Sequence, residues 1–331
     1  MLAETRAFNQ ELERALALLP NVQDLPPEVT RQARRKGKGV FAPPVFLDNA
    51  RTESAGGVPV RILEPPEPQG AYLHVHGGWV LSAADLQDEL LWELAQESRL
   101  TVVSVDYRLA PEHPYPAGPD DCEAAALWFL EHYDGRLAIG GDSAGAHLAV
   151  LTLLRLRDRH GISPRRTFAA ANLVFGSFDL TGTPSRLLWG ERNLVLSGPN
   201  MDWFADCFLP GMPDRERRSP EVSPLFARLH DLPPALFSCG HSIRCSTTRS
   251  SCTRAGPRRA TSRGSRSGRK ACTATSSSRS RSRSVRTPSS TRSSAVSCAR
   301  RRTPGSRACC PAARGDRPSE GRMRRRGCRR S

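Results

Sequence analysis

Residues 137–154 read LAIGGDSAGAHLAVLTLL, and the character of this stretch changes at its centre. An apolar run that ends in glycine comes first and is typical of a buried strand, whereas the run after residue 145 places apolar residues at helical spacing. Between them stands a G-x-S-x-G sequence, GDSAG at 141–145, whose serine is Ser143. Its glycines permit a turn so sharp that the serine hydroxyl is held at the carboxyl end of the strand, facing the N–H groups of the helix start. This context favours a nucleophilic Ser143 over the alternative of a serine that only caps the helix.

Strand-like and helix-like segments alternate on both sides of this turn. Runs rich in β-forming residues and bounded by Gly, Pro or charge occur at 58–65, 71–76, 100–107, 136–141, 170–178 and 234–240. Helical patterns lie between them, as in DLQDELLWELAQES and DDCEAAALWFLEHY. The alternation predicts an α/β fold with a mostly parallel sheet.

Two segments do not fit this alternation. Apolar residues recur at helical spacing near the start of the chain: Phe8, Leu12, Leu16 and Leu19, before Pro20. They predict an amphipathic helix, and a second short helical piece is predicted at 28–35. Residues 184–213 fit no strand. We interpret about 1–45 and 184–213 as a helical cap that lies over the sheet.

Charge divides the chain after residue 240. The 331 residues carry a formal net charge of +16, but residues 241–331 hold 25 Arg, 1 Lys and 2 acids, whereas residues 1–240 are net negative. The last part also has no Leu, Phe, Tyr or Trp and 21 Ser, so it lacks the apolar groups whose burial offsets the entropy of ordering a chain. We predict one folded domain at 1–240 and a disordered Arg/Ser-rich tail at 241–331.

Cysteines and apolar runs bear on the compartment. Cys122, Cys207 and Cys239 are isolated in the first 240 residues, as expected of reduced thiols, not of a disulfide framework. The N-terminal residues mix acids and Arg with apolar residues, unlike a signal peptide, and no run approaches the ~18 apolar residues of a membrane helix. We predict a cytoplasmic protein without a membrane partner.

A second motif, HVHGGW, ends an earlier predicted strand with His76, Gly77, Gly78 and Trp79. A glycine loop in this place can direct backbone N–H groups at the oxygen of a tetrahedral intermediate. Removing one such donor costs about 2.7–4 kcal/mol of transition-state stabilisation. The alternative is an ordinary turn with a packed Trp, and the pairing with the serine turn favours the functional interpretation.

Together with DYRLAPEHPYPAGPDDC (106–122) and SPLFARLHDLPPALFSCG (223–240), these motifs resemble the hormone-sensitive-lipase-like branch of the α/β-hydrolases, bacterial carboxylesterases with a GDSAG nucleophile. The resemblance covers about residues 1–240. It implies an eight-stranded sheet, a helical cap, no cofactor, and hydrolysis of small carboxylic esters, usually with short acyl chains.

Carried onto this sequence, the resemblance implies that Ser143 is the nucleophile. The N–H groups of Gly77, Gly78 and Ala144 form the oxyanion hole, and His76 and Asp142 support the two motifs. We assign no metal ligands. The glycine loop is one residue shorter than the family's usual three glycines.

A serine hydroxyl is a weak nucleophile without a base and a group that orients the base. Seven histidines fit structural or solvated positions better: His74, His76, His113, His132, His147, His160 and His230. His241 stands where the family places its acid, and the tail's acids, Asp316 and Glu320, are surrounded by Arg. No complete triad can be assembled, so we predict weak or no turnover for this chain.

The genetic code offers an explanation. If each third base from His241 is read with the first two bases of the next codon, HSIRCSTTRSSCTRA permits LDPLLDDSLFLHAR, with an Asp-Pro-Leu motif of the family's kind. That aspartate codon straddles Ser242 and Ile243, and a histidine codon straddles Cys272 and Thr273, 30 codons later. We therefore predict a frameshift. The rival interpretation is a genuine basic arm that binds nucleic acid without sequence specificity.

Overall fold

In the computed structural model, which describes residues 2–39 and 41–239, seven strands form one sheet. The strands are β1 (Arg51–Ala55), β2 (Val58–Leu63), β3 (Gly70–Val75), β4 (Thr101–Val105), β5 (Arg136–Asp142), β6 (Ala170–Val174) and β7 (Ala235–Ser238). Their order is β1-β2-β4-β3-β5-β6-β7. The first two pairings are antiparallel and the other four are parallel, which confirms the predicted α/β fold and mostly parallel sheet.

Helical segments in the described part of the chain are α1 (Leu2–Ala17), α2 (Pro27–Arg35), α3 (Asp88–Ser98), α4 (Ala117–His132), α5 (Ala144–His160), α6 (Pro164–Thr167), α7 (Pro184–Leu187), α8 (Gly198–Phe208) and α9 (Asp214–Arg217). Short 3-10 turns occur at Val22–Asp24, Ala84–Gln87 and Pro224–Phe226. Among the described residues, no helix is both long and apolar enough to cross a membrane.

The parallel strands bring the two sequence motifs to one edge of the sheet. Val75, the last residue of β3, pairs with Val105 of β4 on one side and with Gly141 of β5 on the other. Carboxyl ends of parallel neighbours lie together, so the glycine loop after β3 and the serine after β5 emerge side by side.

Successive residues on the central strands belong to different cores, because side chains alternate between the two faces of a sheet. Leu73 and Val103 pack with α4 and α5, around the buried Phe129. Tyr72 and Val102 pack with the apolar side of α3. Burial of one such large apolar side chain stabilises the fold by about 1.5–3 kcal/mol. The sheet is therefore held from both faces.

The segments that we interpret as a cap contact each other. Arg192 forms an ion pair with Glu13 of α1. The Asn200 amide of α8 donates to Gln23 Oε1 at 2.6 Å, in the turn between α1 and α2. The N-terminal helices and residues 184–213 thus lie together.

Two predictions on the architecture fall beyond residue 239. The sheet of the described residues has seven strands, one fewer than the resemblance implies, and an eighth strand after β7 would belong to residues outside the described part. The predicted disorder, frameshift and nucleic-acid-binding arm at 241–331 also lie outside the described residues.

Candidate active site

Ser143 stands alone between the end of β5 and the start of α5, as the G-x-S-x-G sequence predicts. Its φ of 55° and ψ of −116° are values that side-chain-bearing residues rarely adopt, at a cost of order 1–3 kcal/mol. Two backbone hydrogen bonds hold it: Ser143 N donates to Val174 O at 2.8 Å, and His147 N donates to Ser143 O at 3.2 Å. It occupies the N-cap position of α5, but its hydroxyl makes no capping bond to the helix.

The glycines around Ser143 allow α5 to begin against the end of β3. A Cβ placed on Gly141 would lie 2.0 Å from the carbonyl oxygen of Val75, and one on Gly145 would lie 1.8 Å from the same oxygen. Side chains are excluded at both positions. This close approach sets the serine beside the loop that follows β3.

The side chains of His76 and Tyr107 form hydrogen bonds that hold the loop after β3. His76 is fully buried, and its Nδ1 donates to the carbonyl oxygen of Gly77 at 3.0 Å. The Tyr107 hydroxyl donates to the carbonyl oxygen of His76 at 3.1 Å, and the two rings stack with centroids 4.3 Å apart. Burial lowers the pKa of His76, so the ring is neutral at pH 7. Among the described residues, the N–H groups of Gly77 and Gly78 have no acceptor.

Asp142 links the loop to the serine turn. Its carboxylate lies against Gly77, where an added Cβ would be 2.4 Å from Oδ2. Gln87 Nε2 donates to Asp142 Oδ1 at 3.1 Å, and His74 Nε2 lies 3.7 Å from the same oxygen. Burial alone would raise the pKa of this carboxyl, but His74 and Gln87 together hold it below its usual value. Asp142 is therefore an ionised contact between the two motifs.

Trp79 is buried behind the loop, where its ring stacks on Phe208 of α8 with centroids 5.1 Å apart. His147 meets the same Trp79 ring edge-on, and its Nε2 donates to the carbonyl oxygen of Val222 at 2.7 Å. The predicted packed Trp thus coexists with the glycine loop.

In the described part of the chain, no imidazole hydrogen-bonds the Ser143 hydroxyl. His74 bonds Ser104, His132 bonds the carbonyl of Trp128, and His160 bonds Glu123. These partners agree with structural roles for the histidines. His241, Asp316, Glu320 and the shifted-frame positions lie outside the described residues.

Two arginines of α2, whose contacts were not predicted from the sequence, also hold the loop. On α2, Arg31 Nε donates to Val80 O at 2.7 Å, and Arg34 Nη1 donates to Leu81 O at 2.7 Å. A cleft of about 230 Å³ is lined by Arg31 and Arg35 of α2, by residues of the loop, and by Asp106 and Tyr107. Main-chain acceptors have no sequence signature. For Tyr107 a signal did exist, since it belongs to the quoted motif at 106–122.

A strand, a serine in a strained turn and a helix, set beside a glycine loop in a mostly parallel sheet, define an α/β hydrolase. A family model described as alpha/beta hydrolase fold matches residues 72–243, more than half of the chain. The chain belongs to this family, as the sequence analysis expected.

Several of its relatives are named as esterases or lipases. The carboxylic ester hydrolase LipN of Mycobacterium tuberculosis is 35% identical over 196 residues, which are 56% of this chain and 52% of LipN. The chain thus spans about half the length of this relative. A hyperthermophilic esterase from the archaeon Pyrobaculum calidifontis is 31% identical, with a TM-score of 0.62, over 72% of this chain and 80% of that one. A hormone-sensitive lipase from a metagenome library, 24% identical, shares the fold with a TM-score of 0.65 over 76% of this chain and 84% of its own.

Proposed function

We propose that the chain derives from a serine carboxylesterase, in which Ser143 attacks the carbonyl carbon of a small-molecule ester. The N–H groups of Gly77, Gly78 and Ala144 hold the resulting oxyanion. The observation that carries this proposal is the close contact of α5 with the end of β3, which sets the serine beside unpaired N–H groups. The names of the matched relatives support the same class of reaction.

The proposed reaction has two stages. The serine oxygen bonds to the carbonyl carbon as a base takes its proton, and the collapsing intermediate expels the alcohol, which receives that proton. Water then attacks the acyl-serine in the same way and releases the carboxylic acid. Both stages need a base near Ser143, and the proposal assigns this base and its orienting acid to the shifted-frame His and Asp after residue 240.

The 331-residue chain, which lacks this base and acid, is therefore a poor catalyst. In known triads, loss of one member costs about 10⁴–10⁶ in rate, while the oxyanion hole and substrate binding sustain a residual reaction. The proposal includes a cytoplasmic location, which is supported by the free thiols of Cys122 and Cys207.

The test is hydrolysis of p-nitrophenyl acetate by the 331-residue chain and by a frame-restored version, each with and without Ser143→Ala. We expect the frame-restored protein to be faster by about 10⁴-fold or more, and Ser143→Ala to abolish the difference. Ser98→Ala, remote on α3, is the matched serine control. Equal rates for the two proteins, both lost in Ser143→Ala, would refute the need for the restored segment. A frame-restored protein whose rate is indifferent to Ser143→Ala would refute the nucleophile.

A further inference from the structure

We infer that Tyr107 and His76 are positioning residues that aim the N–H groups of Gly77 and Gly78 at the oxyanion. This inference rests on the proposed function for its purpose. Its structural content, that two hydrogen bonds fix two N–H directions, can be tested without turnover.

The planar peptide unit links the Tyr107 hydroxyl to the N–H of Gly77. The carbonyl of His76 and the N–H of Gly77 belong to one rigid trans peptide, in which the two bonds point in opposite directions. A hydrogen bond that fixes the carbonyl therefore fixes the N–H. The Tyr107 hydroxyl supplies that bond at 3.1 Å, so it sets the direction of the Gly77 N–H.

The same reasoning applies one peptide further along the loop. The carbonyl of Gly77 shares a peptide with the N–H of Gly78, and it accepts from His76 Nδ1 at 3.0 Å. A carbonyl oxygen only accepts, so Nδ1 carries the hydrogen of the neutral ring. The stack on Tyr107, with an interplanar angle of 16°, keeps this ring in place. One pair of rings thus orients both donors.

Two consecutive glycines need such external restraint, because glycine has the widest backbone freedom of any residue. Backbone hydrogen bonds hold the next two carbonyls of the loop. Leu81 N donates to Gly78 O at 3.2 Å, and Ala110 N donates to Trp79 O at 3.0 Å. The peptides before Gly77 and Gly78 are held instead by the side chains of Tyr107 and His76. Tyr107 reaches the first of these peptides because it follows β4, the neighbour of β3.

The decisive variant is Tyr107→Phe in the full chain, which removes the hydroxyl and keeps the ring stack. Tyr115→Phe is the matched control, since its ring packs edge-on against Phe208 and its hydroxyl lies 3.5 Å from the carbonyl of Glu221. With ¹⁵N-glycine labelling, relaxation reports the motion of each glycine N–H vector. We expect the order parameter of Gly77 to fall from about 0.85 to below about 0.6 in Tyr107→Phe and to stay unchanged in Tyr115→Phe.

Variants at His76 test the second donor and guard against a Tyr107→Phe protein that does not fold. His76→Asn keeps an N–H near the position of Nδ1, whereas His76→Leu has none. We expect the Gly78 order parameter to be retained in the Asn variant and lost in the Leu variant. Glycine order parameters that match those of the unmodified chain in both Tyr107→Phe and His76→Leu would overturn the inference, whatever the hydrolytic activity.

Kinetics separate this inference from the proposed function. Where hydrolysis depends on Ser143, Tyr107→Phe lowers kcat about 10-fold or more with KM within about twofold, because a complete loss of one oxyanion donor costs about 10²–10³. An unchanged kcat together with Ser143-dependent hydrolysis would overturn the positioning role. Lost glycine order, together with hydrolysis by the frame-restored protein that ignores Ser143→Ala, would support the positioning and refute the proposed function alone.

Discussion

Gly145→Ala should destabilise the protein, although replacing glycine by alanine within a helix usually stabilises it. Gly145 is the second residue of α5, and alanine there gains up to about 1 kcal/mol of helix propensity. The new Cβ, however, would lie 1.8 Å from Val75 O, 2.6 Å from Val75 C and 2.7 Å from His76 O. All three atoms are backbone atoms, so no side-chain rotation relieves the overlap.

The size of the effect follows from that geometry. Heavy-atom contacts below 3.0 Å are essentially never seen for a real Cβ, so the helix start and the end of β3 must separate by about 1 Å. Overpacking of this kind costs typically 1–3 kcal/mol and occasionally more. We expect a net loss of about 2 kcal/mol or more, which lowers Tm by about 4–8 °C for a folded unit of this size.

Thermal unfolding followed by circular dichroism measures the shift, with Gly118→Ala as the matched control. Gly118 also lies in the first turn of a helix, but a Cβ there would sit 3.4 Å from a ring carbon of Tyr107, an ordinary contact. The control should change Tm by no more than about 2 °C. A Gly145→Ala protein as stable as the control would refute the claim that α5 begins against the backbone of β3.

Two further predictions concern buried polar side chains. Burial lowers the pKa of His147 to about 4, against partial compensation from its bond to Val222 O. Between pH 6.5 and pH 4 the unfolded chain therefore binds more protons than the folded one, and stability falls as pH falls, by about 2 kcal/mol at pH 5. Urea midpoints at pH 7 and pH 5 should differ less in His147→Gln, which keeps a donor near Nε2 without titrating; an equal pH effect in both proteins would contradict this. Asp88 is fully buried and pairs with Arg61, so Asp88→Ala should lower the free energy of unfolding by about 3 kcal/mol or more. Glu53→Ala, which breaks an exposed ion pair with Arg51, should lower it by less than about 1 kcal/mol. Similar urea midpoints for the two variants would contradict this prediction.

The sequence predicted the elements whose apolar residues are buried and missed one whose residues are exposed. Strand β1 has four exposed residues out of five, and it forms only because β2 offers a pairing edge, so no alternation marks it. The strand predicted at 170–178 ends at Val174. Phe175 adopts a φ of 38°, which breaks the extended backbone at a point where the apolar run continues.

The candidate site divides in the same way. Ser143 and the glycines were predictable, because a sharp strand-to-helix turn and a close backbone approach restrict which residue types fit. The roles of Tyr107, Arg31 and Arg34 were not, because their acceptors are main-chain carbonyls whose position depends on the register of three strands. Any residue provides such a carbonyl, so the sequence does not show these bonds, although Tyr107 belongs to the motif at 106–122.

The two halves of the proposed reaction therefore depend on different parts of the chain. The contacts that fix the serine and the N–H groups lie among residues 31–174. None of the described histidines hydrogen-bonds the Ser143 hydroxyl. A change of reading frame after residue 240 would remove proton transfer and leave charge stabilisation intact. The chain should then retain the residual catalysis of an oxyanion hole, which is about 10³–10⁴ over water in known serine hydrolases. Tyr107→Phe should lower this residual activity by the same factor as it lowers the activity of the frame-restored enzyme.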